Sequence, residues 1–189
     1  TNKGGKRNYR VMRTLASRPG MGNWRDIIPE NPHIRITGCD VFQDFLAVYR
    51  MNHAVSEIVL YDPDGGNPRI VDFPEAVYTA RPDNNPEFHS RRLRISYQSM
   101  VTPRQIIDLY PESGTRQILK QDTIPGGYDP ANYISRQDMV ISRDGKPIPV
   151  SIVYHKNTQP GPDTPFYLYA YGSYGNTIRP KLWVPRLSL

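Results

Sequence analysis

Part of this chain repeats itself, and that constrains its fold more than anything else in the sequence. Shifted by 48 residues, Phe45-Leu-Ala-Val-Tyr49 falls on Leu93-Arg-Ile-Ser-Tyr97, and Ile58-Val-Leu-Tyr61 falls on Ile106-Ile-Asp-Leu109. Asp62-Pro-Asp-Gly-Gly66 matches Tyr110-Pro-Glu-Ser-Gly114, and Arg69-Ile-Val71 matches Gln117-Ile-Leu119. Strand, turn and strand thus recur in one register. A weaker third copy precedes them, because Trp24-Arg-Asp-Ile-Ile-Pro-Glu30 resembles Arg69-Ile-Val-Asp-Phe-Pro-Glu75. Repeats of roughly 40 to 50 residues built from short strands are the signature of propeller blades, which pack side by side because one sheet cannot bury both faces alone. About two and a half blades are expected. A β-sandwich of similar hairpins is the competing architecture.

Composition supports strands over helices. Thirteen Tyr suit a pleated surface, while 19 Pro and 14 Gly punctuate it too often for helical repeats. The chain is read as mainly β. A single cysteine, Cys39, permits no internal disulfide and suits a reducing compartment, so a cytoplasmic location is expected. Cys39 lies in a turn-like Gly38-Cys39-Asp40 stretch and is read as inert. No apolar run is long enough to cross a bilayer, which argues against a membrane partner. The net charge of +6 is spread along the chain, densest from Lys3 to Arg13, and reads as a solvated surface rather than a nucleic-acid site.

After Lys120 the style changes. Residues 121–132 carry Pro125, Gly126, Gly127 and Pro130, a composition that breaks helix and strand alike and reads as a linker. It divides a propeller part, residues 1–120, from a second unit, residues 133–189. That unit opens with a hairpin, Tyr133 to Ile141 and Ile148 to Tyr154 around the Asp144-Gly145 turn. A polar loop follows, and Phe166 to Tyr171 reads as a strand apolar enough to lie inside a sheet. The chain starts at Thr rather than Met and stops soon after a glycine-rich loop, so it is expected to be a fragment.

That loop, Tyr171-Gly-Ser-Tyr-Gly175, raises the question of a serine nucleophile. The G-x-S-x-G elbow places its serine on a strained strand-to-helix turn that needs a glycine two residues to either side. Around Ser173 the first of these is Tyr171, and Asn176-Thr-Ile-Arg-Pro180 is a poor helix opening, so Ser173 fails as a nucleophile. A hydrolase of this type also needs a second glycine-rich loop that donates to the oxyanion hole, and a rigidly held phenol can fill that role. Spacing alone favours an ordinary strand-end turn.

An ordered set of segments goes further. Phe73-Pro-Glu-Ala-Val-Tyr78, Leu93-Arg-Ile-Ser-Tyr-Gln-Ser99 with Thr102-Pro103, Ile118-Leu-Lys-Gln121, Gly126-Gly-Tyr-Asp129 with Asn132-Tyr133, Asp144-Gly145 with Val150-Ser-Ile-Val-Tyr154, and Tyr169-Ala-Tyr-Gly-Ser-Tyr-Gly175 together resemble the prolyl oligopeptidase family of serine peptidases. The likeness runs from about Arg10 to Leu189, and Ser-Tyr-Gly after Tyr171-Gly172 points to its oligopeptidase B branch. The resemblance implies a partial seven-bladed β-propeller followed by the first strands of an α/β-hydrolase domain. It also implies cleavage of short peptides after Arg or Lys, with the propeller filtering access. Tyr171 matches the tyrosine whose hydroxyl helps form the oxyanion hole. Two departures stand out: Ala170 replaces a usual glycine, and Ser135-Arg136-Gln137 replaces Ser-Glu-Arg beyond the linker, where hinge contacts are at stake.

In that family the catalytic serine, aspartate and histidine all follow this loop, so the chain alone is expected to be inactive. His33, His53, His89 and His155 read as surface or turn residues, and no His pair, nor His with Cys39, has metal-ligand spacing. No cofactor is implied. The functional alternative is a non-catalytic propeller that presents a surface for partner binding.

Overall fold

The computed structural model describes residues 1–174 and 176–187. Twelve strands are described, in four antiparallel sheets, none of them closed. β1 (Val11–Arg13) pairs with β2 (Arg25–Ile28). β3 (Ile34–Val41), β4 (Leu46–Asn52), β5 (Val55–Tyr61) and β6 (Arg69–Ile70) form a four-stranded meander. A second meander holds β7 (Tyr78–Pro82), β8 (Leu93–Ser99), β9 (Gln105–Leu109) and β10 (Arg116–Gln121). Two whole blades and half of another therefore stand in a row. Each sheet takes its strands in chain order, without the crossover that Greek-key sandwiches use, which removes the sandwich reading.

The repeat survives down to the register. Val59 pairs with Ile70 and Leu60 with Arg69; 48 residues on, Ile107 pairs with Ile118 and Asp108 with Gln117. The turns inside these pairs differ more than their alignment implies. One closes from the Asp62 amide to the Gly66 carbonyl, the other from the Tyr110 amide to the Thr115 carbonyl. Gly65 is held at φ +91, and a Cβ there would meet the Ile27 carbonyl oxygen at 2.5 Å. Here the turn of one blade touches β2 of the blade before it, and only glycine fits.

Why blades need neighbours is visible in β4. Ala47 and Tyr49 pack into a core shared with Leu93, Ile95, Tyr97 and Ile107 of the next blade. Leu46 and Val48 point the other way, into a second core with Ile28, Val59 and Tyr61. Both faces are covered, so the sequence of β4 shows a continuous apolar run instead of alternation. The central position of the blade explains its composition. β8, by contrast, alternates buried Leu93, Ile95, Tyr97 and Ser99 with half-buried polar residues.

Polar side chains brace the second blade. The buried Asp108 carboxylate accepts hydrogen bonds from Arg94 Nε at 2.7 Å and Arg92 Nη1 at 2.5 Å. Those guanidiniums hold its carboxyl below the usual carboxylate range. Glu75, in the segment between blades, accepts from the hydroxyls of Tyr97, Ser99 and Thr102, so the Phe73-Pro-Glu75 motif is an anchor for the β8–β9 turn.

Beyond the second blade, β11 (Tyr133–Ile141) and β12 (Pro147–His155) form the expected two-stranded hairpin, with Gly145 at φ +77 closing its turn. Two expectations fail, and one turn forms without glycine. Cys39 lies within β3, exposed, rather than in a turn, and partial burial of its sulfur with the charge of Asp40 pushes its thiol up. The β4–β5 connection turns at His53 and Ala54, both at positive φ, although neither is glycine. Phe166 to Tyr171 forms no strand. A lone extended segment cannot satisfy its backbone groups as a strand without a paired edge, and among the described residues β11 and β12 pair only with each other.

Candidate functional site

The glycine-rich loop is exposed and is set by contacts on its far side. Phe166 is 70% exposed, Leu168 68% and Tyr171 49%. The Tyr171 hydroxyl makes no hydrogen bond to any described residue, so its donor is free for a ligand. Ser173 contributes its carbonyl to a turn with the Asn176 amide at 3.1 Å, and Tyr174 sits at φ +58 with its ring almost wholly in solvent. Gly172 has open space where a Cβ would project. Gly175, the last residue of the motif, lies outside the described residues.

Downstream, the segment docks back on the blades. The Thr79 hydroxyl in β7 donates to the carbonyl of buried Pro180 at 2.7 Å. Arg186 lies over Trp183 at 3.9 Å and Tyr169 at 4.1 Å, a cation–aromatic cluster that holds the strip next to the loop. The substituted 135–137 stretch also has defined contacts. Gln137 Nε2 donates to the His53 carbonyl at 3.0 Å, and Arg136 pairs with Asp138 at 3.0 Å and lies over Tyr154. At the linker, Tyr128 donates its hydroxyl to the Val101 carbonyl, and burial pushes its phenol up to about 12.

The structure brings no base to Ser173. His89 bonds Gln43, His53 bonds Asn52, and the His155 ring accepts from the Asn157 amide. No described histidine ring bonds a serine hydroxyl or a carboxylate. Among the described residues no group of His, Cys, Asp and Glu could hold a metal ion, and no helix is long and apolar enough to cross a membrane.

One feature escaped the sequence. A cleft of about 1190 Å³ runs along β1, β3 and the start of the chain and is lined by Arg10, Arg13, Arg35, Arg81 and Arg179, with Trp24 among its apolar walls. These arginines are spread over the whole chain, so no local pattern announced them; the basic surface expected to be evenly solvated is partly gathered here.

Blades in chain order, with residues of the edge strands β3 and β7 lining one cleft, define a fragment of a β-propeller. The sequence profile of the prolyl oligopeptidase N-terminal β-propeller domain matches residues 1–122, and the chain belongs to that family. It is 30% identical over its whole length to dipeptidyl aminopeptidase BI of Pseudoxanthomonas mexicana, covering 26% of that protein. It is 27% identical over 78% of its length to protease 2 of Moraxella lacunata, covering 21% of it. Among solved structures, the closed form of oligopeptidase B from Trypanosoma brucei with covalently bound antipain superposes with a TM-score of 0.85 at 28% identity, over 98% of this chain and 28% of that one. The chain spans about a quarter of the length of these relatives.

Proposed function

We propose that this chain is the propeller side and the entry to the catalytic domain of a serine peptidase that cleaves short peptides after Arg or Lys. Residues 1–120 are the last blades of a seven-bladed propeller, residues 121–132 the linker, and residues 133–189 the start of an α/β-hydrolase domain whose first strands are β11 and β12. The single cysteine suits a cytoplasmic setting.

The observation that supports this reading is the likeness to an oligopeptidase B over 98% of the chain; Tyr171, which the resemblance of its sequence motif singles out, is half exposed. During attack on a peptide bond the carbonyl oxygen gains negative charge. A donor fixed beforehand stabilises that charge without reorganising, and it acts on the transition state more than on bound substrate. Tyr171 and a backbone N–H fill this role, while serine, histidine and aspartate from the rest of the polypeptide attack, move the proton and orient. Ser173 takes no part.

Two measurements test the reading. In the complete polypeptide, Tyr171→Phe lowers kcat by about 10²-fold with KM little changed; unaltered kcat removes Tyr171 from the oxyanion hole. The 189-residue chain alone gives no turnover of a fluorogenic dipeptide ending in arginine, because donors without a nucleophile form no acyl-enzyme. Turnover there would place a complete active site within this sequence.

A further inference from the structure

Arg35 in β3, Arg81 in β7 and Arg179 in the segment after the glycine loop meet at the cleft, and none has a carboxylate partner among the described residues. The Arg179 guanidinium is pushed down from its ordinary value by burial and then by the charges of Arg81 and Arg35, so the three share one positive field. Nearby acids are engaged elsewhere. Asp40 accepts from Tyr49 and Asn85, Glu57 from Arg50 and Asn52, and Asp26 from Arg10. The cluster therefore carries an uncompensated repulsion that a bound anion would relieve.

The walls identify the anion's carrier. β3 and β7 are each the edge strand of their sheet; the Ile36 amide of β3 already donates to the Asn8 carbonyl, and the remaining edge groups of these two strands flank the cleft. Such edges accept an extended peptide by main-chain hydrogen bonds, and the Trp24 and Tyr9 rings supply apolar surface for its side chains. A nucleic acid needs a long basic track with stacking platforms, whereas this cleft is concave and edged by strands.

We propose that the cleft along β1, β3 and β7 is a peptide-binding site in which Arg35, Arg81 and Arg179 hold a carboxylate of the peptide. The inference rests on the reading that the protein handles peptides. It adds a polarity to that reading: a basic side chain is repelled from the cleft, while the carboxylate is drawn in. A substrate is thus oriented before its scissile bond meets the catalytic groups.

The test is binding, which requires no turnover and so separates this inference from the peptidase assignment. Calorimetry of the complete polypeptide at low salt compares N-acetylated tetra-alanine as free acid, as C-terminal amide, and as an amide with glutamate in the last position. The expected result is at least about tenfold tighter binding of the free acid or of the glutamate peptide than of the alanine amide. The first identifies a terminal carboxylate as the ligand group and the second a side-chain carboxylate. The preference disappears in R35Q/R81Q and is reduced in R81K, which keeps the charge but loses the guanidinium fork, with folding of both checked by circular dichroism. Equal binding of all three peptides overturns the proposal. So does an unchanged preference in the variants, displacement by inorganic phosphate at equal concentration, or tighter binding of a DNA oligonucleotide with a steep salt dependence.

Discussion

Two apolar stretches of this chain read alike and end differently. Phe45-Leu-Ala-Val-Tyr49 leads into and forms most of β4, and all five residues are buried; Phe166 to Tyr171 is at least as aromatic, yet it is exposed and belongs to no strand. The difference lies in what each finds beside it. β4 has β3 and β5 for its backbone and a packed layer on either face, whereas the later segment has the Thr79–Pro180 hydrogen bond and the Arg186 cluster nearby and no paired edge. Hydrophobicity marks a segment as needing burial; burial itself is supplied by neighbours.

Breaking the comparison at its strongest point means hollowing a blade and truncating the loop strip with the same kind of change. Leu93→Ala, at a site with 0% exposure, should cost about 2–5 kcal/mol. Leu168→Ala should stay within about 0.5 kcal/mol. Urea unfolding of the two variants checks this, and equal costs would mean that the strip is buried in solution.

The blade's ionic anchor comes next. Asp108→Asn leaves two partly solvated arginines without their carboxylate and should cost about 2 kcal/mol at neutral pH. The Asp108 carboxyl is depressed below its unfolded value of about 3.9. Its contribution is therefore fully present above about pH 4 and is lost as pH falls through the depressed folded value. Melting temperatures between pH 7 and pH 2 should show a shallower acid limb for the variant than for the wild type; parallel curves would separate Asp108 from acid stability.

The smallest effect sharpens the contrast from the other side. Thr79→Val removes the donor to the Pro180 carbonyl and should cost about 1 kcal/mol, felt mainly as local opening. Faster hydrogen exchange after residue 176, with β8 amides unchanged, is the expected result. Uniform acceleration across both regions would show that the docked segment and the blades open as one unit.

Much of the propeller was legible because its information is local. Alternation, turn residues and the 48-residue shift reported two and a half blades, and the pairing of Val59 with Ile70 recurs as Ile107 with Ile118. The β11–β12 hairpin was equally plain around Asp144-Gly145. The His53-Ala54 turn was not, since turns with positive φ ordinarily advertise themselves with Gly or Asn, and here the flanking ladder imposes the conformation. Tyr171 was singled out by its resemblance to a family motif, while its exposure and free hydroxyl came only with the fold. Cys39 was misplaced because Gly38 beside it suggested a turn, whereas β3 carries that glycine at a register shift.

The sequence by itself determined that short strands repeat, where they turn, and that Ser173 lacks the glycine spacing of an elbow, because each of these depends on residues within a few positions of one another. Only the tertiary structure decided that Arg35, Arg81 and Arg179 share a field, that Gly65 touches Ile27, and that Phe166 to Tyr171 stays outside any sheet. Those outcomes depend on how distant strands stand side by side, and Coulomb forces and van der Waals contacts act across space without regard to separation along the chain.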